Sequence, residues 1–600
     1  MPIFNILSMK EIKFSLVYRD MWQSSGKYQP RVDQLEQIAP VIIEMGCFSR
    51  IETNGGAFEQ VNLLIGENPN RAVRQFTAPF NKAGIQTHML DRGLNGLRMN
   101  PVPSDVRKLM YKVKHAQGVD ITRIFCGLND TRNIIPSIQY AKEGGMTPQA
   151  ALCITCSPIH TVEYYVNLAD QLIESGAEEI CLKDMAGIGR PHSIGQIVKE
   201  IKERHPNIPI QYHGHTGPGF SVASMLEAAR NGVDYLDVAM EPLAWGMVHP
   251  DVITIQAMLK DAGFMVPDIN LDAYMEARRL TQSFIDDFLG YFIDSSNKTM
   301  TSLLVGCGLP GGMMGSMMAD LKGMHNAINR ALIQKGKKEV TLNSLVVQLF
   351  KEVQAIWPML GYPPLVTPFS QYVKNIALMN ILAEAKDEPR FSVIDKDSWN
   401  MILGKMGKLP GTLASEIIDL AKANQLEFYD GDPQLAFPDE LERFRNEMKT
   451  NGWDEGLDEE ELFEFAMHER QYRDVKTGAA KNRFNQELEQ AKEKAGTPII
   501  VKRPVVEIPM FNFTEITKEY PFAKPVHAPC KGQVIWQYDL IDESTAPFEG
   551  ATIEKGQNLC YIQNYYGIEP VTAGYGGTIV GTYVEQGKIV QKGEILAFIN

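Results

Sequence analysis

Four side chains, Asp20, Lys183, His213 and His215, carry most of the chemical information in this sequence, because each falls where a short apolar run ends. In YHGHTG the two histidines are two residues apart, and such residues on a strand point to one face. Both imidazoles are thus aimed the same way. With the carboxylate of Asp20 they offer two nitrogens and one oxygen to a divalent transition ion, leaving positions open for substrate. Lys183, in CLKDMAG, is the odd member, since an ammonium repels a dication and is costly to desolvate. Three readings stand side by side. Lys183 forms a Schiff base with a carbonyl substrate, it turns away to pair with Asp184, or it is carbamylated, which converts the cation into a carboxylate able to ligate the ion.

Converging these residues requires a particular scaffold. Over the first 240 residues a short apolar run, a turn and a longer amphipathic stretch recur, the pattern of alternating strands and helices. Eight runs fit: IKFSLVYRD ending at Asp20, SRIETN at Asn54, IQTHMLDRG at Gly93, ITRIFCGLN at Asn129, ALCITC at Cys156, EICLKDM at Met185, IPIQYHGHT at Thr216 and YLDVAM at Met240. The predicted class is α/β, a (β/α)8 TIM barrel over residues 1–300, in which chemistry gathers at the carboxyl ends of strands. A doubly wound open sheet is the competing architecture. Helical patterns such as SLVVQLFKEVQAI predict an α-helical domain over 301–495. In it, the charged run from Asp458 to Gly496 reads as a solvated helical surface with one buried stripe. Prolines and β-branched residues make 496–525 an extended linker. Residues 526–600 read as a small all-β module with weak twofold similarity between GATIEKGQNLCYI and GKIVQKGEILAFI.

Composition narrows the partners. The 600 residues carry 59 Lys and Arg against 73 Asp and Glu, a net charge of −14, which disfavours nucleic acid and anionic membranes. Eight dilute cysteines fit a reducing cytoplasm, and Cys153 with Cys156 lacks the second pair a zinc knuckle needs. The amino-terminal stretch has the pattern of neither a signal peptide nor a membrane span, so no direct membrane insertion is expected.

The runs VYRDMWQS, LDRGLN, RIFCGLND, CLKDMAG, HGHTG, LPGG and VTPFSQ, in this order, resemble the carboxyltransferase domain of biotin-dependent enzymes. That family includes pyruvate carboxylase, the oxaloacetate decarboxylase alpha subunit and the transcarboxylase subunit acting on pyruvate. The resemblance runs from about Ile12 to Ala495 and implies zinc, cobalt or manganese held by Asp20, N6-carboxylated Lys183, His213 and His215. It further implies Arg92 on the substrate carboxylate, Arg19 and Gln23 along the pocket, and Thr367 moving a proton between substrate and biotin. A small 2-oxo acid such as pyruvate or oxaloacetate is the implied substrate, and a homodimer the implied assembly. The plainer readings make Arg92 a surface ion-pair residue and Thr367, before Pro368, a turn or helix cap.

The tail resembles a biotinyl or lipoyl domain, but Tyr566 stands where the family's biotin-accepting lysine belongs, and a phenol cannot form that amide. Biotin is therefore expected in trans, on a separate carrier protein, with this module serving docking or dimerisation. The alternative is that the chain has lost biotin chemistry. Further departures are Met99, Met313, Cys126 and Glu59, of which Met99, Met313 and Cys126 are expected to alter the pocket walls. Two other functions compete: a metal-dependent lyase or aldolase, and a non-catalytic assembly subunit.

Overall fold

The structure, a computed structural model, describes residues 10–307, 314–496, 519–536, 550–564, 567–585 and 587–600. It divides into two units, Met1–Gly496 and Thr497–Asn600.

The first unit is built on β1 (Lys13–Leu16), β2 (Phe48–Gly55), β3 (Gln86–Asp91), β4 (Ile121–Phe125), β5 (Thr147–Cys153), β6 (Glu179–Asp184), β7 (Ile210–Gly214) and β8 (Tyr235–Val238). Neighbouring strands pair in parallel, and β1 pairs with β8, Phe14 opposite Leu236, so the sheet closes into a barrel. The open-sheet alternative falls. Each of the eight runs contains or overlaps a strand because its alternating side chains have two faces to fill, one toward the surrounding helices and one toward the barrel axis.

The inner face is more polar than the runs imply. Arg50 on β2 reaches Glu179 on β6 at 2.6 Å, and Arg123 on β4 reaches Asp237 on β8 at 2.6 Å. Gln149 and Gln211 bridge the carboxylates, Gln149 donating to Glu179 at 2.8 Å and Gln211 to Asp237. Removing one partner from such a buried pair costs about 3–5 kcal/mol, so this network fixes the strands' relative positions firmly.

Register then sets the mouth. Cys153, Lys183 and His213 are successive Cα partners across β5, β6 and β7, which places Lys183 and His213 at one level. The first strand is shorter than its apolar run: it ends at Leu16, and Asp20 lies in the following helix, Tyr18–Ser25. Asp20 thus reaches the mouth from a helical turn rather than from the strand.

Helices dominate beyond the barrel, among them Leu271–Asp287, Leu342–Met359 and Phe369–Lys386. The charged run is three helices, Glu460–Met467, Glu469–Lys476 and Ala479–Gly496. The first of them is not a solvated surface, since Leu462 to Met467 are all buried. Gly127 matters to the site: a Cβ there would lie 2.5 Å from the Phe369 ring. Glycine therefore lets the start of Phe369–Lys386, and Thr367 with it, close onto the end of β4.

The second unit holds two four-stranded sheets. One contains Gly567–Thr572, Asn558–Asn564, Gly532–Ile535 and Ile589–Val590; the other Thr552–Ile553, Gly577–Thr582, Ile595–Ile599 and Lys524–His527. Both enclose one apolar core that includes Val534, Leu559, Ile562, Val590 and Leu596. Asn564 pairs with Gly567, and Tyr566 between them lies outside the described residues, as do residues 497–518 of the expected linker.

Candidate active site

At the carboxyl end of the barrel, a cavity of about 140 Å³ is lined by Arg19, Asp20, Gln23, Arg92, Lys183, His215 and Thr367. His213 lies just beneath, fully buried. All the candidate residues are thereby brought together.

The donor atoms are arranged by a second layer. His213 Nδ1 is 2.6 Å from Asp237 Oδ2, and His215 Nδ1 is 2.8 Å from the Met247 carbonyl oxygen. A carboxylate and a carbonyl only accept, so each ring carries its proton on Nδ1 and turns a lone pair on Nε2 inward. The two Nε2 atoms lie 3.2 Å apart, and each is 3.3 Å from Asp20 Oδ2. Three acceptors thus converge with no proton between them, only His213 Nε2 having a donor, the Lys183 amine, in reach, and a cation at their centre would relieve the arrangement. Burial and the Lys183 ammonium bring His213 down to about 4, leaving it neutral near pH 7. Burial opposes ionisation of Asp20, yet the Arg19 guanidinium beside it holds it well below the ordinary carboxylate range.

Lys183 is almost fully buried, its Nζ 3.0 Å from His213 Nε2. It does not pair with Asp184, whose oxygens accept from the backbone N–H groups of Ile188 and Gly189 at 3.0 and 2.8 Å. Burial pulls its pKa below the ordinary lysine range against the attraction of Asp20, so a larger share of it is the neutral amine that can react.

Arg92 is not a surface ion-pair residue. Its Nη1 donates to the Leu97 and Arg98 carbonyl oxygens at 3.2 and 3.3 Å, and burial together with nearby Arg19 lowers its pKa to about 10. It is a guanidinium whose charge is not met by a carboxylate in hydrogen-bonding reach among the described residues. Arg19, by contrast, is committed to Glu52 at 2.9 Å and donates to Gln23. Thr367 does not cap the helix behind it, which has no side-chain cap bond. Gly56 keeps Arg92 in place, because a Cβ there would sit 2.4 Å from its Nη1 and 2.2 Å from the Leu97 oxygen. Gly56→Ala is expected to raise KM for the 2-oxo acid at least about tenfold by displacing Arg92, read in steady-state kinetics.

Two expectations about the walls are corrected. Cys126 is buried behind the cavity, its Sγ 3.3 Å from Asn133 Nδ2, and Met99 lines a different cleft. Neither touches the cavity, whose apolar wall is instead Leu90, Phe125 and Met185. Met313 lies outside the described residues.

Sequence reasoning also passed over Asp237, Arg123 and His249. An acid in YLDVAM and an arginine in ITRIF, each within an apolar run, are the signals for the first two. His249 is fully buried, neither ring nitrogen has a partner, and its ring centroid lies 4.1 Å from that of His215. One donor atom from each of Asp20, His213, His215 and His249 falls within 4.8 Å of the others. Asp237→Asn is expected to weaken zinc binding about 10–100-fold, measured by equilibrium dialysis, because an amide no longer fixes the His213 tautomer.

A profile of a conserved carboxylase domain matches residues 307–502, and an HMGL-like profile matches 130–280. A pyruvate carboxylase subunit of Methanocaldococcus jannaschii is 30% identical over 437 residues, 72% of each chain. The chain belongs to this carboxyltransferase family. Within it, the 2-oxoglutarate carboxylase large subunit of Hydrogenobacter thermophilus is 29% identical over 80% of this chain and 71% of that one. The carboxyl transferase domain of Rhizobium etli pyruvate carboxylase, solved with pyruvate, superposes with a TM-score of 0.67 at 22% identity, covering 79% of this chain and 78% of that one. That likeness speaks to the fold, and the resemblance read from seven short runs accords with the family assignment. Among the described residues no helix is long and apolar enough to cross a membrane.

Proposed function

We propose that this chain transfers a carboxyl group between carboxybiotin, presented by a separate carrier protein, and a small 2-oxo acid such as pyruvate. The observation that carries the reading is the convergence of Asp20, His213 and His215 acceptors, 3.2–3.3 Å apart, in a cavity that also holds Arg92 and Thr367. The donor set fits a divalent zinc, cobalt or manganese ion held by Asp20, His213 and His215, with Lys183 as a fourth ligand once its amine has taken up CO2. Bound there, such an ion supplies Lewis acidity that stabilises negative charge on the 2-oxo oxygen.

The protein's own groups do the rest. Arg92 grips the substrate carboxylate, and the fork of its guanidinium orients the acid. The Thr367 hydroxyl takes a proton from the pyruvate methyl group and gives it to the biotin ureido nitrogen as the carboxyl group departs. The resulting enolate carbon attacks the released CO2 to form oxaloacetate, and decarboxylation runs the same steps backwards. Because Arg92 has no carboxylate partner among the described residues and Arg19 is engaged by Glu52, the small cavity favours a monocarboxylic 2-oxo acid over 2-oxoglutarate.

The test is carboxyl-label exchange between oxaloacetate and pyruvate, with biotin or a biotinylated carrier added to the zinc-loaded chain. Exchange that needs added biotin, and that 2-oxoglutarate does not support, is the expected result. No exchange at full metal occupancy would leave an assembly role in its place. A twofold dimer is part of the same proposal and is read by sedimentation.

A further inference from the structure

A second group of ligating side chains lies away from the cavity. Glu59 is on the helix Gly56–Ile65, Glu464 on Glu460–Met467, and His468 directly follows, leading into Glu469–Lys476. All three are at most 2% exposed. The burial is unusual for two acids on the same spot, and their satisfaction is incomplete. Glu59 Oε1 is well served, by Lys114 Nζ at 2.6 Å and Asn54 Nδ2 at 2.8 Å. Glu59 Oε2, both oxygens of Glu464 and His468 Nε2 have no hydrogen-bond partner.

These orphaned atoms face one another. His468 Nε2 is 3.8 Å from Glu59 Oε2 and 3.8 Å from Glu464 Oε1, and one donor atom from each residue falls within 4.8 Å of the others. Separations of 3.8 Å are too long for hydrogen bonds. They suit ligands sharing a tetrahedral ion with bonds of about 2.1 Å, whose donors stand roughly 3.4 Å apart. A cleft lined by Gln60, Arg98, Met99 and His468 lies beside the group.

We propose that Glu59, Glu464 and His468 form a second divalent transition-metal site, independent of the barrel-mouth centre, that fastens the helix Glu460–Met467 to the barrel. Two carboxylates and one imidazole are a zinc-type donor set, with a fourth position left for water. Lys114 sits on the far oxygen of Glu59 and leaves Oε2 free to ligate. The rival occupant is a proton held between the two glutamates, with Lys114 balancing the remaining charge. Glu59 and Met99, two departures from the family pattern that the substrate cavity does not use, both belong to this region.

The full chain, loaded with zinc chloride and dialysed, is expected to hold two zinc ions. Of these, His213→Ala should remove one, and Glu464→Gln or His468→Gln the other. Crystals of the unmutated chain measured above the zinc edge should show an anomalous peak within bonding distance of Glu59, Glu464 and His468. That peak is read without any variant and persists whatever happens at the barrel mouth. Absence of the peak at saturating zinc overturns the proposal in favour of the shared proton, as does a peak unchanged in the well-folded Glu464→Gln chain.

Discussion

Replacing His213 with alanine is expected to abolish carboxyl exchange and to strip the ion from the barrel mouth while the chain stays folded. His213 is the best-oriented donor of the set, its Nδ1 tied to Asp237 at 2.6 Å and its Nε2 facing both Asp20 and His215 at 3.3 and 3.2 Å. Loss of one of these donors removes the Lewis acid, and the several kcal/mol it supplies convert to at least about a 10³-fold fall in rate. Folding survives because Asp237 is not orphaned: Arg123 remains on it at 2.6 Å and Gln211 still donates to it. The lost hydrogen bond and small void cost about 1–3 kcal/mol. Circular dichroism and zinc content are read beside the exchange assay. Retained exchange in a chain that no longer holds zinc at the mouth would remove the metal from the reaction altogether.

How much of this was legible in the sequence depended on whether the signal was local. Each strand appeared as an apolar run because burial of both faces is written residue by residue. His213 and His215 were visible for the same reason, as spacing two on a strand is a local fact. The sequence places Asp20 at a strand end, since IKFSLVYRD is continuous in hydropathy and nothing in it marks the break after Leu16, where the chain enters the helix Tyr18–Ser25. What no local pattern carries is a pairing across the barrel. Arg123 and Asp237 are 114 positions apart, and only closure of the sheet makes one the partner of the other. Their presence within apolar runs was the available clue, and a closed barrel gives the reason: its narrow interior lets long side chains from opposite strands meet.

The same limit applies to Glu464 and the pocket walls. Glu464 sits in a run dense with charge, which periodicity reads as a solvated helical surface with one buried stripe; its helix packs on the helices Ser104–Ala116 and Leu441–Asn451, and Glu464 is buried. Met99 and Cys126 lie close in sequence to Arg92 and Phe125, which do line the cavity, but proximity along the chain past a strand end does not fix direction. Cys126 turns toward Asn133 in the next helix, and Met99 faces a separate cleft. Departures from a family pattern thus report on packing outside the cavity as readily as on substrate choice.

Replacing Thr367 with alanine is the second large effect, and it separates proton transfer from binding. The hydroxyl lies on the cavity wall with no capping duty, while its neighbours hold the segment still: Val366 packs with Leu90, Phe125 and Met185, and Phe369 fits against Gly127. Removing only the hydroxyl therefore leaves Arg92 and the metal donors in place. A positioned proton carrier contributes about 10²–10⁴-fold, and the alanine chain should lose that much in biotin-dependent exchange with KM for pyruvate little changed. Thr367→Ser keeps the oxygen and should retain most of the rate. A second readout is deuterium wash-in at the pyruvate methyl group, which reports proton removal without carboxyl transfer and should fall in parallel. If wash-in and exchange both persist in the alanine chain, the proton travels through another group at the mouth and Thr367 is not the carrier.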